Sequence, residues 1–169
     1  MRTLLWRSEK AGMLTVGITF LVRALLVALF LPFSALDKVL NFDQAEAQAA
    51  QSVPHPLAPI LIGCGLGIEV LMSAAILIGV MDRLAALVLA FYCIATALLW
   101  KRFWTVPGFQ LKGPANRDLF WDFLKNFALA GGFLILTFGT DASGVRRFLA
   151  DPLASSHPYG QPDQPQSGP

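Results

Sequence analysis

Charge is what this chain has least of. Only 14% of its 169 residues are Asp, Glu, Lys or Arg, against roughly 25% in a soluble domain, while 55% are hydrophobic. That balance excludes an ordinary water-soluble globule before any helix is drawn. Histidine is nearly absent: His55 and His157 lie in Pro-flanked, loop-like segments, so no pair of imidazoles can face each other inside an apolar bundle to hold haem b. The two cysteines, Cys64 and Cys93, both fall in apolar runs and form no C-x-x-C, which argues against a thioredoxin-like dithiol and against zinc or iron–sulfur ligation. Their depths, counted along two helices, differ by ~10 Å, too far for a disulfide. No metal or covalently bound cofactor is expected. The net charge is only +2, and the basic residues are scattered or flank apolar runs, so there is no nucleic-acid patch.

What the chain does have is long apolar runs. The first, residues 12–38, is apolar for about 24 residues, enough to cross a bilayer as a helix and too long for the core of a signal peptide. It is read as a retained span, with Pro32 bending its far half. Three more follow at about 59–81, 84–100 and 118–140. The fold class expected is therefore all-α, an integral membrane bundle of four transmembrane helices with both termini on the same side. Residues 1–11 form a basic juxtamembrane segment. Residues 41–55 make a connection that can hold a short surface helix, and 105–117 carries the turn signals Pro107-Gly108 and Gly113-Pro114, with Phe109 and Leu111 on the bilayer surface. The tail 141–169 is Pro-, Gln- and Ser-rich beyond about 151 and is expected to lack fixed structure there. Counting Lys and Arg on the two sets of loops tips the termini towards the cytoplasm of a cell (inner) membrane. Gly63-x-x-x-Gly67 is read as a close-packing motif between helices, not as a phosphate loop, because no strand precedes it.

The few charges inside the spans are the candidate functional residues, since a charge in a membrane helix is costly unless it is paired or wet. If Lys38 marks the outer edge of a continuous first span, Arg23 lies ~22 Å below it, some 8 Å from the inner surface, and can snorkel. Glu69 lies ~20 Å from the inner face, too deep to snorkel, and Lys125 falls at a matching depth on the fourth span. A Glu69–Lys125 contact is expected. Asp122, Lys125 and Asn126 share one side of that helix, and a polar seam of Arg23, Ser34, Glu69, Ser73, Asp122, Lys125 and Asn126 is the candidate interior. In a catalytic reading, Glu69 relays protons, Arg23 stabilises an anion and Lys125 binds an oxygen. Asn126, Asp122 and Ser34 complete a quinone site. In a structural reading the same residues only set helix register.

These residues also carry a family likeness. The run from Arg23 to Lys38, Glu69, the Gly79-x-x-x-Arg83-Leu-Ala-Ala turn and Leu124 to Gly132, taken in order and spacing, resemble the DoxX family of four-helix membrane proteins over roughly residues 21–139. One departure is that Ser34 and Ala35 stand where the family usually has a glycine. The resemblance implies a membrane redox setting: a membrane subunit of an oxidoreductase that uses quinone, or a non-catalytic scaffold tethering a partner redox enzyme. Whether the chain is itself an enzyme stays open, as does a small carrier role, which would need a homo-oligomer. The partners expected are the lipid bilayer, a partner protein (a redox enzyme or membrane complex) and a second copy of the chain.

Overall fold

The computed structural model describes residues 2–107 and 117–160, with only the backbone of residues 2–11. All the regular structure in those residues is helical: α1 Arg2–Val27, α2 Ala35–Leu40, α3 Phe42–Ala49, α4 Ala58–Ile78, α5 Asp82–Trp100, α6 Arg117–Phe138 and α7 Ala142–Ala150. Four stretches are long and apolar enough to cross a bilayer: Gly12–Leu40, His55–Ile78, Asp82–Thr105 and Arg117–Phe138. An even number of crossings returns the chain to the end it started from. That end, with the 79–81 turn and α7, is called the terminal end below; α2, α3 and the 101–107 segment lie at the loop end.

The bundle is apolar outside as well as inside. Leu25, Leu71, Phe91 and Ile135 are all more than half exposed, the arrangement of helices whose outer solvent is lipid. Helix α5 is the central one. Its buried face is Ala85, Ala86, Leu89, Ala90, Cys93 and Ala97, mostly side chains small enough to let helix axes approach. Val27, Phe30, Ile76, Ala130 and Phe133 close around it. Cys93 is buried there, and Cys64 is exposed on α4.

The first crossing is not one continuous helix. Leu31, immediately before Pro32, has φ −123° and ψ 112°, and Leu29–Ser34 is a widened turn in which the Ala35 amide reaches back to the Phe30 carbonyl. The cause is local: proline clashes with a helical residue before it and donates no amide hydrogen bond of its own. Beyond the break, α2 leans onto α4. The assumption of a uniform helical rise from Arg23 to Lys38 therefore fails, and Lys38 sits deeper than the outer edge.

The α4–α5 turn is closed by Gly79 and Met81, both left-handed, with φ +82° and +48°. Gly79 is required twice. Only glycine takes that φ without strain, and a β-carbon there would run into the Pro158 ring. Gly79→Ala is expected to cost about 1–2 kcal/mol, read as a lowered melting temperature in detergent. Pro158 belongs to the segment 151–160, expected to lack structure. Instead the segment packs back on this turn, with the Met81 amide donating to Ser155 Oγ at 2.9 Å and Tyr159 OH donating to the Leu77 carbonyl at 2.6 Å. The expectation erred because composition cannot report hydroxyls that meet unpaired backbone groups at a helix end. Residues 161–169 lie outside the described residues, as do Phe109 and Leu111.

Candidate functional site

Two polar centres interrupt the apolar interior. The first is at the terminal end. Arg23, buried on α1, is neither snorkelling nor free. Its Nη1 donates to the Ile76 carbonyl at 2.7 Å, and its Nη2 lies 2.7 Å from Asp82 Oδ2 and donates to Ser156 Oγ at 2.9 Å. Asp82 opens α5, where the exposed amides of a helix start favour a negative charge, and it is fully buried. Ser156 donates to it from both the backbone amide and the hydroxyl. One ion pair thus joins α1, α4, α5 and the returning tail. In the sequence Asp82 stands only as part of the tight connection between the second and third spans. The available signal was its position at the same end of the bundle as Arg23.

The second centre lies near the middle of α4. Glu69 is 1% exposed, and its Oε1 collects three donors: Lys38 Nζ at 2.7 Å, Tyr92 OH at 2.8 Å and Ser34 Oγ at 3.0 Å. Lys38 also donates to Ser34 at 2.7 Å. The lysine reaches this depth because the Leu31 break tips α2 over α4. Tyr92 reaches it because α4 has no side chain at Gly65, where a β-carbon would come within 3.1 Å of the phenol oxygen. Gly63 and Gly67, read above as the packing motif, have nothing within 4 Å of where a β-carbon would stand. The glycine that serves close packing is the one between them. Tyr92 went unnoticed because one tyrosine in an apolar run reads as an interface residue.

Glu69 Oε2 and Ser73 Oγ have no hydrogen-bond partner among the described residues, and both are buried. They stand one helical turn apart on the same face of α4. A buried oxygen left without a partner costs about 1–3 kcal/mol, so these two are the unsettled polar atoms of this centre.

The rest of the expected seam is not brought here. Lys125 does not meet Glu69. It is 74% exposed and lies 3.2 Å from Asp122 on its own helix, and Asp122 is also 3.5 Å from Lys101. Asn126 donates to the Asp122 carbonyl at 2.9 Å. These three form a loop-end surface cluster beside the rings of Phe103, Trp104, Phe120 and Phe123. The depth match was sound arithmetic applied to the wrong face: equal depth places two residues at one level but not opposite each other. Among the described residues no group of three or more His, Cys, Asp and Glu side chains is placed to hold a metal ion.

Outside the spans, Asp141 caps α7. It accepts from Ser143 Oγ and from the Gly144 amide at 2.6 Å, and these bonds hold its carboxyl below the usual aspartate value of 3.8.

A family model described as DoxX matches residues 18–102, which include both ion pairs and Tyr92. The inner membrane protein YphA of Escherichia coli (strain K12) is 30% identical over 117 residues, covering 69% of this chain and 78% of that protein. No solved structure matches the chain.

Proposed function

We propose, for this chain, which belongs to the DoxX family, that it is the inner-membrane subunit of a redox system and presents a quinone headgroup to the Glu69 centre. The observation that carries the reading is the open valence in the core: Glu69 Oε2 beside Ser73 Oγ, with the other carboxyl oxygen already held by three donors.

A quinone becomes a quinol by taking two electrons and two protons. In this reading electrons pass from a partner redox protein to this chain. Its own residues supply position and protons. Ser34, Lys38 and Tyr92 fix the carboxyl through Oε1. The Ser73 hydroxyl then donates towards one quinone carbonyl, and the Lys38–Glu69 pair passes it a proton through Oε2. Arg23 takes no part in this scheme, because Asp82 already neutralises it. Asp122, Lys125 and Asn126 have no role in this scheme, since they meet one another and Lys101 instead of Glu69.

A second reading is favoured by the same Oε1. Three donors drawn from two other crossings onto one oxygen is what a register-setting network does, and the chain would then be a scaffold for a partner enzyme. One experiment separates the two: quinone content per chain after gentle detergent extraction, with co-purifying proteins identified in the same sample. Near one quinone per chain or per dimer, lost in Glu69→Gln and in Ser73→Val but kept in Lys125→Met, supports the quinone site. No quinone with a stoichiometric partner protein supports the scaffold.

A further inference from the structure

A separate cavity lies elsewhere in the described residues. It is a cleft of about 350 Å³ between α1 and α6 at the terminal end, with Val22, Leu26 and Ile135 among its apolar walls and Arg23, Arg83 and Arg147 at its polar edge. It lies between two crossings, and its rim residues Val22 and Ile135 are 60% and 58% exposed. It therefore opens sideways, to lipid. Gly132 keeps it open, since a β-carbon there would already stand 3.1 Å from Leu26 Cδ1.

The three guanidinium groups are not equivalent. Arg23 is neutralised by Asp82. Arg83, second residue of α5, is half-buried and donates through Nε to the Thr137 carbonyl at 3.0 Å and through Nη2 to the Gly144 carbonyl at 3.3 Å. It has no carboxylate partner among the described residues. Carbonyl dipoles orient a guanidinium without cancelling its charge, and a part-buried uncancelled charge at a membrane edge calls for an anion. Arg147 is 67% exposed and only loosely held, 3.8 Å from an equally exposed Asp141. It is free to turn towards whatever Arg83 holds.

We infer that this cleft binds an anionic membrane phospholipid, its phosphate between Arg83 and Arg147 and the upper part of one acyl chain along Val22, Leu26 and Ile135. Charge complementarity commits the headgroup, and the sideways opening commits the source. The volume is near the lower limit of ligand cavities, about 300–1,000 Å³, which suits a phosphate and the first few methylenes, with the remainder of the chain in the bilayer. Basic pockets between transmembrane helices near the surface are where anionic lipid headgroups are held. Nothing in this inference depends on the Glu69 centre.

The test is native mass spectrometry of the full chain in detergent, titrated with phosphatidylglycerol or phosphatidylcholine, with thermal stability read in parallel. One phosphatidylglycerol per chain should be retained at about tenfold lower lipid concentration than phosphatidylcholine, and should raise the melting temperature. Arg147→Glu, on an exposed side chain that leaves the fold unchanged, should abolish the preference, and Arg147→Lys should keep most of it. Ile135→Trp, filling the mouth of the cleft, should remove the bound lipid without touching any charge. Equal retention of the two lipids overturns the inference, as does an unchanged preference in Ile135→Trp. Displacement by millimolar inorganic phosphate alone would mean an anion site with no lipid chain in it, and would also overturn it.

Discussion

Asp82→Ala is expected to be the most damaging single substitution in the chain, lowering stability by about 3–5 kcal/mol. The magnitude comes from what is left behind. The Arg23 and Asp82 side chains are 7% and 0% exposed and 2.7 Å apart, and removing the acid strands a buried guanidinium. Arg23 retains the Ile76 carbonyl and Ser156, but neither cancels a charge. The same change removes both bonds that Ser156 donates to Asp82, so residues 151–160, still held through Arg23, Met81 and Leu77, should loosen. Limited proteolysis in detergent should show cleavage near Pro158 rising together with the loss of melting temperature. The paired replacement Arg23→Met with Asp82→Leu should recover most of the loss, because a buried ion pair and a well-packed apolar pair of similar volume are close in energy. If the double variant is no more stable than Asp82→Ala, the pair does not stabilise by mutual neutralisation and its role lies elsewhere.

The second large effect is an asymmetry within the Lys38–Glu69 pair. Lys38→Met should cost about 3 kcal/mol or more, since Glu69 is wholly buried and is left with only the Ser34 and Tyr92 hydroxyls. Glu69→Gln should cost less, about 1–2 kcal/mol, because the lysine is 18% exposed and its flexible stem lets the ammonium turn towards the surface. Lys125→Met should lie within about 0.5 kcal/mol of the unmodified protein, as expected of a surface ion pair. Denaturation of the four proteins in a single detergent gives the ordering. Equal losses for Lys38→Met and Lys125→Met would remove the assignment of Lys38 as the partner of Glu69. Quinone content measured on the same preparations keeps function separate from folding: Glu69→Gln, the milder of the two, is the variant in which a lost quinone can be read without a lost bundle.

The α1–α6 cleft and the Glu69 centre also bear on how such a protein would work in a membrane. They lie at different levels of the bundle and share no residue. Lipid at the first would fill the space between α1 and α6 and hold α6 and α7 against the α4–α5 turn, while the second remains available to a quinone. The loop-end aromatic cluster is a third region, with Trp104 and Trp121 half exposed. Those rings suit the interface between bilayer and water, where an indole has an apolar body and one polar edge.

How much of this was legible in the sequence depends on the range of the interaction. Four crossings, the all-helical class and one of the two buried acids, Glu69, followed from composition, run length and the cost of charge in lipid. Those are properties of each segment by itself, and they hold whatever the segment packs against. The partners did not follow. Arg23 was placed by a uniform rise that the Leu31 break interrupts, and was read as snorkelling or as part of a seam without Asp82, while Glu69 was paired with Lys125 on depth alone. The true partners depend on how the helices are turned about their axes and on one local break. Pro32 was visible and its tendency to bend the span was noted, yet the distance α2 leans, and so the descent of Lys38, is set by packing on α4. Gly65 accepts Tyr92 because α5 presents that face to it, and Ser156 finds Asp82 because the tail folds back over the α4–α5 turn. Local chemistry alone determined which groups needed partners; only the tertiary structure decided which partners they found, because pairing requires direction as well as depth, and direction belongs to the assembled bundle.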